Sequence, residues 1–156
     1  MKSTVVRAWH FVGDTLRDGS PIPADGVWLE HKGPLKMCET GLHASIHPFD
    51  ALQYAPGNTL CLVECCGEIV EDTDKLVCSR RRIIARMDAT ELLRYFARMQ
   101  ALSVVHLWDA PDVVLDYLME GEESNRAAAR AAAWAAGAAA RKDFEELVNE
   151  CFYDYL

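Results

Sequence analysis

Three side chains that could do chemistry, His10, Tyr54 and Glu64, stand in or beside apolar segments. His10 lies between two aromatic residues near the end of a predicted strand, where it is either satisfied by the backbone or a hydrogen-bond donor at the mouth of a cleft. Tyr54 closes a short predicted helix, where packing in the core is the simpler interpretation. Glu64 interrupts an apolar strand. It either faces solvent from an edge strand or is removed from water, and a desolvated carboxylate can act as an acid or a base.

A second group of reactive residue types lies just before that helix: Cys38, His43, Ser45 and His47. The last three alternate along the chain, so they share one face if the chain is extended. Cysteine and histidine are zinc ligands, but this spacing matches no standard zinc pattern, and no metal site is predicted. A Cys38 nucleophile with a His43 base is a second interpretation, and a turn hydroxyl is the simpler role for Ser45.

The composition is that of an ordinary globular chain, with 156 residues of which 51% are hydrophobic. This length is enough for one domain with its own core. No apolar run approaches the roughly 20 residues of a membrane-spanning helix, and the first residues form no secretory signal, so no membrane association and a cytoplasmic location are predicted. The six cysteines are therefore expected to be reduced.

The net charge of −8 argues against general binding to nucleic acid, because phosphate contacts need clustered lysines and arginines. Residues 79–98 carry six arginines against two acids, a local charge of +4, whereas residues 112–156 carry ten acids against four bases, a local charge of −6. The acidic segment is expected to pair with the basic one or to attract a host protein with a basic surface. The run from Arg80 to Arg82 either binds a phosphate-bearing ligand or forms a solvated face.

Hydrophobic periodicity divides the chain into a strand-rich front half and a helical back half. Strands are predicted over 4–11, 27–31, 35–38, 59–70, 75–78 and 82–87, and a short helix begins at Pro48. Helices are predicted over 89–105, from 109–111 to Gly121, over the Ala-rich 122–140, and then along an apolar stripe from Phe144 to Leu156. This order predicts an α+β fold in a single domain, 1–156, mainly β over 1–87 and helical over 88–156, with an Ala-rich part over 126–141.

Several motifs occur in a fixed order along the chain: WHF, CETGLHAS, PFDALQYAPG and VECCGEI. Together they resemble a family of phage and prophage proteins that carry a CESGLHAS…P-x-DAL-x-YAPG…V-E…GEI core and often an Ala/Arg-rich tail. The resemblance extends from about Trp9 to Ala140. It implies an accessory protein of a phage or mobile element that acts on a host protein in the cytoplasm of the host bacterium.

The same motifs are more distantly similar to ADP-ribosyltransferases, whose split sheet surrounds NAD. WHF with His10 resembles the first motif of that family, and GLHAS…DALQYA with Ser45 and Tyr54 resembles the second. The resemblance implies that His10 holds the ribose, that Tyr54 stacks on the nicotinamide, that Glu64 assists the transfer, and that His43 and Ser45 line the cofactor site. No E-x-E or Q-x-E pair follows, so a degenerate, binding-only version is the alternative.

Two other classes of function compete with the enzyme. The acidic helical half is also typical of a non-enzymatic, anti-CRISPR-like inhibitor that binds a host defence complex by charge complementarity. The Ala-rich helix, with Arg126, Arg130 and Trp134 at intervals of four, favours packing against another helix, as in an oligomeric structural or assembly accessory.

Overall fold

The computed structural model of the chain describes the backbone of residues 5–151, and the side chains of that range except 139–141 and 143–151. Contacts between residues divide the chain into two compact units, Met1–Glu91 and Leu92–Leu156. The first unit contains the strands and the second contains helices, so the predicted α+β class is confirmed. Among the described residues no helix is long and apolar enough to cross a membrane.

The first unit is built on two long antiparallel strands. Its elements are β1 (Val6–Val12), β2 (Leu29–Glu30), β3 (Leu42–Ala44), α1 (Pro48–Leu52), β4 (Thr59–Glu71) and β5 (Leu76–Asp88). β4 and β5 form a hairpin, and β1 pairs with the other edge of β4, from Val6 opposite Cys65 to Val12 opposite Thr59. The short strands β2 and β3 both pair with β5.

The strand pairings of this unit close on themselves. β3 lies along the edge of β5 that β4 leaves free, because both strands pair with the same residues, Leu76–Cys78. Directly after β3, the N–H of Ser45 donates to the carbonyl of Trp9 at 2.9 Å, and the N–H of Trp9 donates to the carbonyl of Ser45 at 2.7 Å. This bridge leads from β3 back to β1. The sheet is therefore a small closed ring of β1, β4, β5 and β3.

Small side chains fill the inside of the ring, as its narrow interior requires. The buried cluster consists of Ala8, Val12, Ala44, Cys61, Val63, Cys65, Leu76, Cys78 and Ile83, each at most 4% exposed. The cysteines of β4 and β5 thus act mainly as small apolar residues in the packing. They form no disulfide among the described residues, and Cys38 differs from them because it is exposed.

A bulge in β4 bends the hairpin. The register between β4 and β5 shifts between Cys66 and Ile69, and Gly67 between them has a φ of +80°. The hydroxyl of Ser79 accepts the N–H of Glu68 at 2.9 Å and thereby completes the bulge. A β-carbon at Gly67 would lie 2.2 Å from that hydroxyl oxygen, so glycine is required for both conformation and space.

Several boundaries differ from the sequence prediction. The prediction of a strand over 35–38 is wrong. The chain makes a turn there, which is closed by the bridge between Lys36 and Thr40. The third strand comes later, at Leu42–Ala44, and is only three residues long. The two strands predicted over 75–78 and 82–87 are one strand, β5, because the bulge that absorbs the irregularity lies in β4.

The second unit is helical. It contains most of α2 (Thr90–Val104), a 3-10 helix (Val105–Leu107), α3 (Asp112–Glu120) and α4 (Glu123–Cys151). Its buried cluster is Val114, Leu118 and Ala129. α3 ends at Glu120, close to the predicted end at Gly121, and Gly121 caps the helix in a left-handed conformation. The Ala-rich segment and the final helix are one continuous helix, and the apolar stripe predicted from Phe144 to Leu156 lies outside the described side chains.

Candidate functional site

Four segments of the first unit bring polar side chains together around an exposed thiol. Cys38 lies at the tip of the turn that precedes β3, and His43 lies on β3. Tyr54 directly follows α1, and Asp74 and Lys75 lie in the turn between β4 and β5. These five residues are called the Cys38 site below.

Cys38 has an unusual backbone conformation. Its φ is +64°, which makes it the one non-glycine residue with a positive φ in the described part of the chain. This conformation costs about 1–2 kcal/mol for a residue with a side chain. Two side chains hold it: the N–H of Cys38 donates to Nε2 of His43 at 2.9 Å, and its carbonyl accepts from Arg17 at 2.9 Å. Backbone strain that is fixed by neighbouring side chains is a common feature of functional sites.

His43 serves as a support for this turn. Its Nε2 accepts the N–H of Cys38, and its ring is also hydrogen-bonded to the backbone of Gly41. Burial lowers the pKa of His43, and the positive charges of Arg17, Arg81 and Lys75 lower it further. The imidazole is therefore neutral, and its two ring nitrogens are used to position Cys38.

A lysine held by an aromatic hydroxyl faces the thiol. Nζ of Lys75 donates to the hydroxyl of Tyr54 at 3.0 Å and lies 3.6 Å from Oδ1 of Asp74. The Tyr54 hydroxyl, together with the Cys38 side chain and Asp74, raises the pKa of Lys75 well above its usual range. Tyr54 in turn donates to Oδ2 of Asp74 at 2.5 Å, and this bond lowers the pKa of Asp74. Lys75 is thus a cation fixed by Tyr54 and Asp74, and the Cys38 side chain is one of the groups that raise its pKa.

The predicted catalytic residues do not share one pocket. Tyr54 belongs to the Cys38 site and is 51% exposed. His10 lies on the inner side of β1, and burial, followed by the positive charge of Arg81, lowers its pKa to about 3. Glu64 follows Val63, which points inward, so it lies on the outer face of the sheet. There one oxygen of Glu64 accepts from Nε and Nη2 of Arg82 at 2.8 and 2.7 Å.

The two residues predicted to line a cofactor site lie close in sequence, His43 on β3 and Ser45 directly after it. His43 belongs to the Cys38 site, whereas Ser45 is 2% exposed and its backbone forms the bridge to Trp9. The structure therefore brings together Tyr54 and His43, with Ser45 close by along β3. It places His10 inside the ring and Glu64 on the opposite face.

The arginine run on β5 is split between the two faces of the sheet. Arg80 pairs with Glu30 at 3.0 Å and Arg82 pairs with Glu64, and their guanidinium groups lie 5.0 and 4.6 Å from the ring of Trp28. Arg81 points inward, is 5% exposed, and donates to the carbonyl of His43. Arg80 and Arg82 are thus ion-paired on the outer face, where Arg80 is exposed, and the three arginines do not form one cluster of phosphate ligands.

Asp74, Lys75, Arg17 and Arg81 were missed by the sequence prediction. Arg81 could have been recognised from the sequence. It lies two residues before Ile83 and therefore on the same apolar face of β5. Asp74 and Lys75 carried no signal in the sequence, because polar hairpin turns are common. The distance of this turn from Cys38 depends on the closure of the ring, which the sequence does not indicate. No group of three or more cysteine, histidine or acidic side chains within the described residues could hold a metal ion.

Comparisons with known proteins identify the family but not an activity. A search of curated proteins and a search of solved structures each gave no match. The model of the family described as Domain of unknown function (DUF7666) matches residues 6–95, a range that contains the whole ring and every residue of the Cys38 site. Because this match spans more than half of the 156 residues, the chain belongs to the DUF7666 family.

Proposed function

We propose that the chain acts through Cys38 as a thiol nucleophile that accepts an acyl group from its substrate. The observation that carries this proposal is the exposed Cys38 at a turn held in a left-handed conformation, with Lys75 near enough that the Cys38 side chain helps to raise the pKa of its ammonium. A lysine next to a cysteine is the kind of environment in which proteins hold a reactive thiol.

The neighbouring groups define how the thiol reacts. Lys75 stays protonated, and both ring nitrogens of His43 are in hydrogen bonds. Neither residue can therefore act as the general base that takes the thiol proton. The reacting species is the Cys38 thiolate, which forms when the thiol loses its proton to solvent, because the thiolate rather than the thiol is the nucleophile. Its sulfur attacks the acyl carbon, so that the S–C bond forms and the bond to the leaving group breaks. The positive charge of Lys75 stabilises the negative oxygen of the intermediate.

The site also restricts the leaving group. The proton of Tyr54 is hydrogen-bonded to Asp74, so it is not available for a departing amine. Leaving groups that depart as anions, such as thiolates and activated alcohols, need no such proton. The expected substrates are therefore thioesters and activated esters rather than amides.

A chromogenic ester tests this proposal. With p-nitrophenyl acetate the chain should release a burst of p-nitrophenolate of one equivalent, and peptide mapping should find the acetyl group on Cys38. Cys38→Ser should remove the burst, and Lys75→Met should slow it several-fold because the thiolate loses its counter-charge. Lys36→Met is the matched control, because Lys36 is 61% exposed, lies two positions from Cys38 and pairs with Glu39.

Two results would count against the proposal. One is a burst of unchanged size in Cys38→Ser. The other is an equal loss of rate in Lys75→Met and Lys36→Met, which would show that only the general positive charge of the turn matters.

ADP-ribosyl transfer from NAD to a host protein is a second proposal, and one observation supports a modified form of it. The carboxylate within reach of Tyr54 is Asp74 rather than Glu64. If the chain labels a protein in host extract with NAD, Asp74→Asn should reduce the labelling more than Glu64→Gln does. The reverse order would contradict the assignment, and unlabelled extract would contradict the transfer. The phage origin and the cytoplasmic location likewise stay predictions.

A further inference from the structure

The ring encloses an arginine that uses little of its hydrogen-bonding capacity. Arg81 is 5% exposed, and Nη1 of its guanidinium donates to the carbonyl of His43. Within the described residues the guanidinium has no other hydrogen-bond partner, and no carboxylate pairs with it. A buried charge is unfavourable unless it is paired and its remaining donors are satisfied. An anion from outside the chain would therefore stabilise Arg81.

The guanidinium lies where the ring is least completely paired, which we call the β1–β3 seam. Among the described residues, the Trp9–Ser45 bridge is the one backbone pairing across this seam. The backbone groups of a strand alternate between its two neighbours, so the carbonyl of His43, two residues before Ser45, also faces β1. Because the bridge is isolated, β1 supplies no N–H to this carbonyl, and Arg81 donates to it instead.

A second side chain with unused donors faces the same seam. His10 follows Trp9, and the bridge from Trp9 to Ser45 places it opposite Ala44. Ala44 belongs to the buried cluster, so His10 points toward the interior as well. Its ring makes no hydrogen bond to a described residue. Burial, and then the positive charge of Arg81, lowers the pKa of His10, so the two side chains are close enough to interact.

Solvent reaches both groups. Over the described side chains, Nε2 of His31 is the one fully enclosed nitrogen or oxygen without a hydrogen-bond partner. The ring nitrogens of His10 and the unused nitrogens of Arg81 are also unpartnered, and they are therefore not fully enclosed. The β1–β3 seam thus exposes a cation and an imidazole to a small molecule from solvent.

We propose that the β1–β3 seam is a binding site for a small carboxylate, which Arg81 holds through paired N–H groups and His10 through its ring N–H. The fork of a guanidinium matches the oxygens of a carboxylate. A neutral imidazole carries an N–H, so His10 can donate without being charged. The buried cluster consists of small side chains, so a planar carboxylate suits the site better than a tetrahedral phosphate.

Arginine side-chain NMR tests this site in the unmodified full chain. Acetate is titrated into the isotope-labelled chain at constant ionic strength, with chloride as the balancing anion, while the arginine Nε–H signals are followed. The Arg81 signal should shift and saturate in the millimolar range, as expected for so small a ligand. The signals of Arg82 and Arg86, which are paired with Glu64 and Asp25, are the internal control and should not move.

Substitutions separate the two donors. Arg81→Lys keeps the charge but loses the fork, and it should weaken acetate binding several-fold, as followed by backbone NMR signals along the seam. His10→Phe should also weaken binding, whereas His10→Gln retains an N–H donor and should bind nearly as well as the parent chain. Arg82→Lys is the matched control on the same strand and should leave the acetate response unchanged.

Other anions define the ligand. Inorganic phosphate should shift the Arg81 signal less than acetate does, and a stronger response to phosphate would overturn the carboxylate assignment. N-acetylglycine carries the same carboxylate on a peptide-like body. It should bind more weakly than acetate, and tighter binding would assign the site to a chain terminus rather than to a small free acid.

The proposal as a whole is overturned if the Arg81 signal stays fixed in acetate, or if it moves no more than the signals of Arg82 and Arg86. These readings need only the unmodified chain, so they decide the question even if Arg81→Lys fails to fold.

Discussion

Cys38 is held in a strained backbone conformation by side chains from other segments of the chain. Its left-handed backbone is fixed by His43 from one side and by Arg17 from the other. Lys75, which faces its side chain, is itself fixed by Tyr54 and Asp74. The free energy of these hydrogen bonds offsets the strain of the turn, and the thiol is left accessible.

His10 offers a prediction about acid stability. Its pKa is about 3 in the folded chain and 6.5 without the fold, so between these values the unfolded state binds a proton that the folded state does not. The stability that a neutral His10 provides is complete above pH 6.5 and is lost as the pH falls toward 3, at about 1.4 kcal/mol per pH unit.

A substitution of His10 measures its contribution to the pH dependence of stability. In His10→Gln the decline of the unfolding free energy between pH 7 and pH 5 should be smaller than in the parent chain, as measured by urea unfolding. The parent chain, unfolded in the same buffers, is the control. An unchanged slope in His10→Gln would show that the fold does not lower the pKa of His10.

At the scale of elements, the bulge at Gly67 determines how β4 bends over β5. Gly67→Ala should destabilise the chain by more than Gly19→Ala. The two glycines have φ values of +80° and +81°, but a β-carbon at Gly19 meets nothing within 4 Å, whereas one at Gly67 overlaps the Ser79 hydroxyl. Both substitutions place a side chain in a left-handed conformation, which costs about 1–2 kcal/mol. The difference between their unfolding free energies therefore measures the overlap of the new β-carbon at Gly67. Urea unfolding of both variants is the measurement.

A double variant checks the cause. Ser79→Ala removes the oxygen that a β-carbon at Gly67 would approach, and the remaining Ser79 β-carbon lies at an ordinary 3.6 Å. Gly67→Ala should therefore cost less in a Ser79→Ala background than in the parent. Equal costs in the two backgrounds would place the strain elsewhere in the bulge.

The elements that could be predicted from the sequence are those with a long repeating pattern. β4 and α2 were predicted to within about two residues because their periods of 2 and 3.6 extend over many positions. β3 could not be predicted, because three residues are too few to show a repeating pattern. The Ser45–Trp9 bridge could not be predicted either, because it joins distant positions with no local signal. For the same reason Cys38 and His43 were recognisable by residue type, whereas their link to Lys75 was not.

At the scale of the whole molecule, the two compact units give a prediction about fragments. The first unit ends at Glu91 and the family model ends at residue 95. A fragment of residues 1–95 should therefore fold by itself, with a cooperative urea transition and the same rate of Cys38 alkylation as the full chain. A fragment without a cooperative transition, or with a Cys38 that reacts like a free peptide thiol, would show that the helices are needed to form the site.

The closed ring has a consequence for the chain during its synthesis. β1 begins at Val6 and its partner on β4 ends at Cys65, a separation of 65 − 6 = 59 residues. At about 5–20 residues per second, a ribosome needs roughly 3–12 seconds to make that distance. Throughout this interval the first apolar strand has left the ribosome without the strand that will cover it. The ring can therefore close only after β4 and β5 have emerged, so its first strand waits longest for its partner.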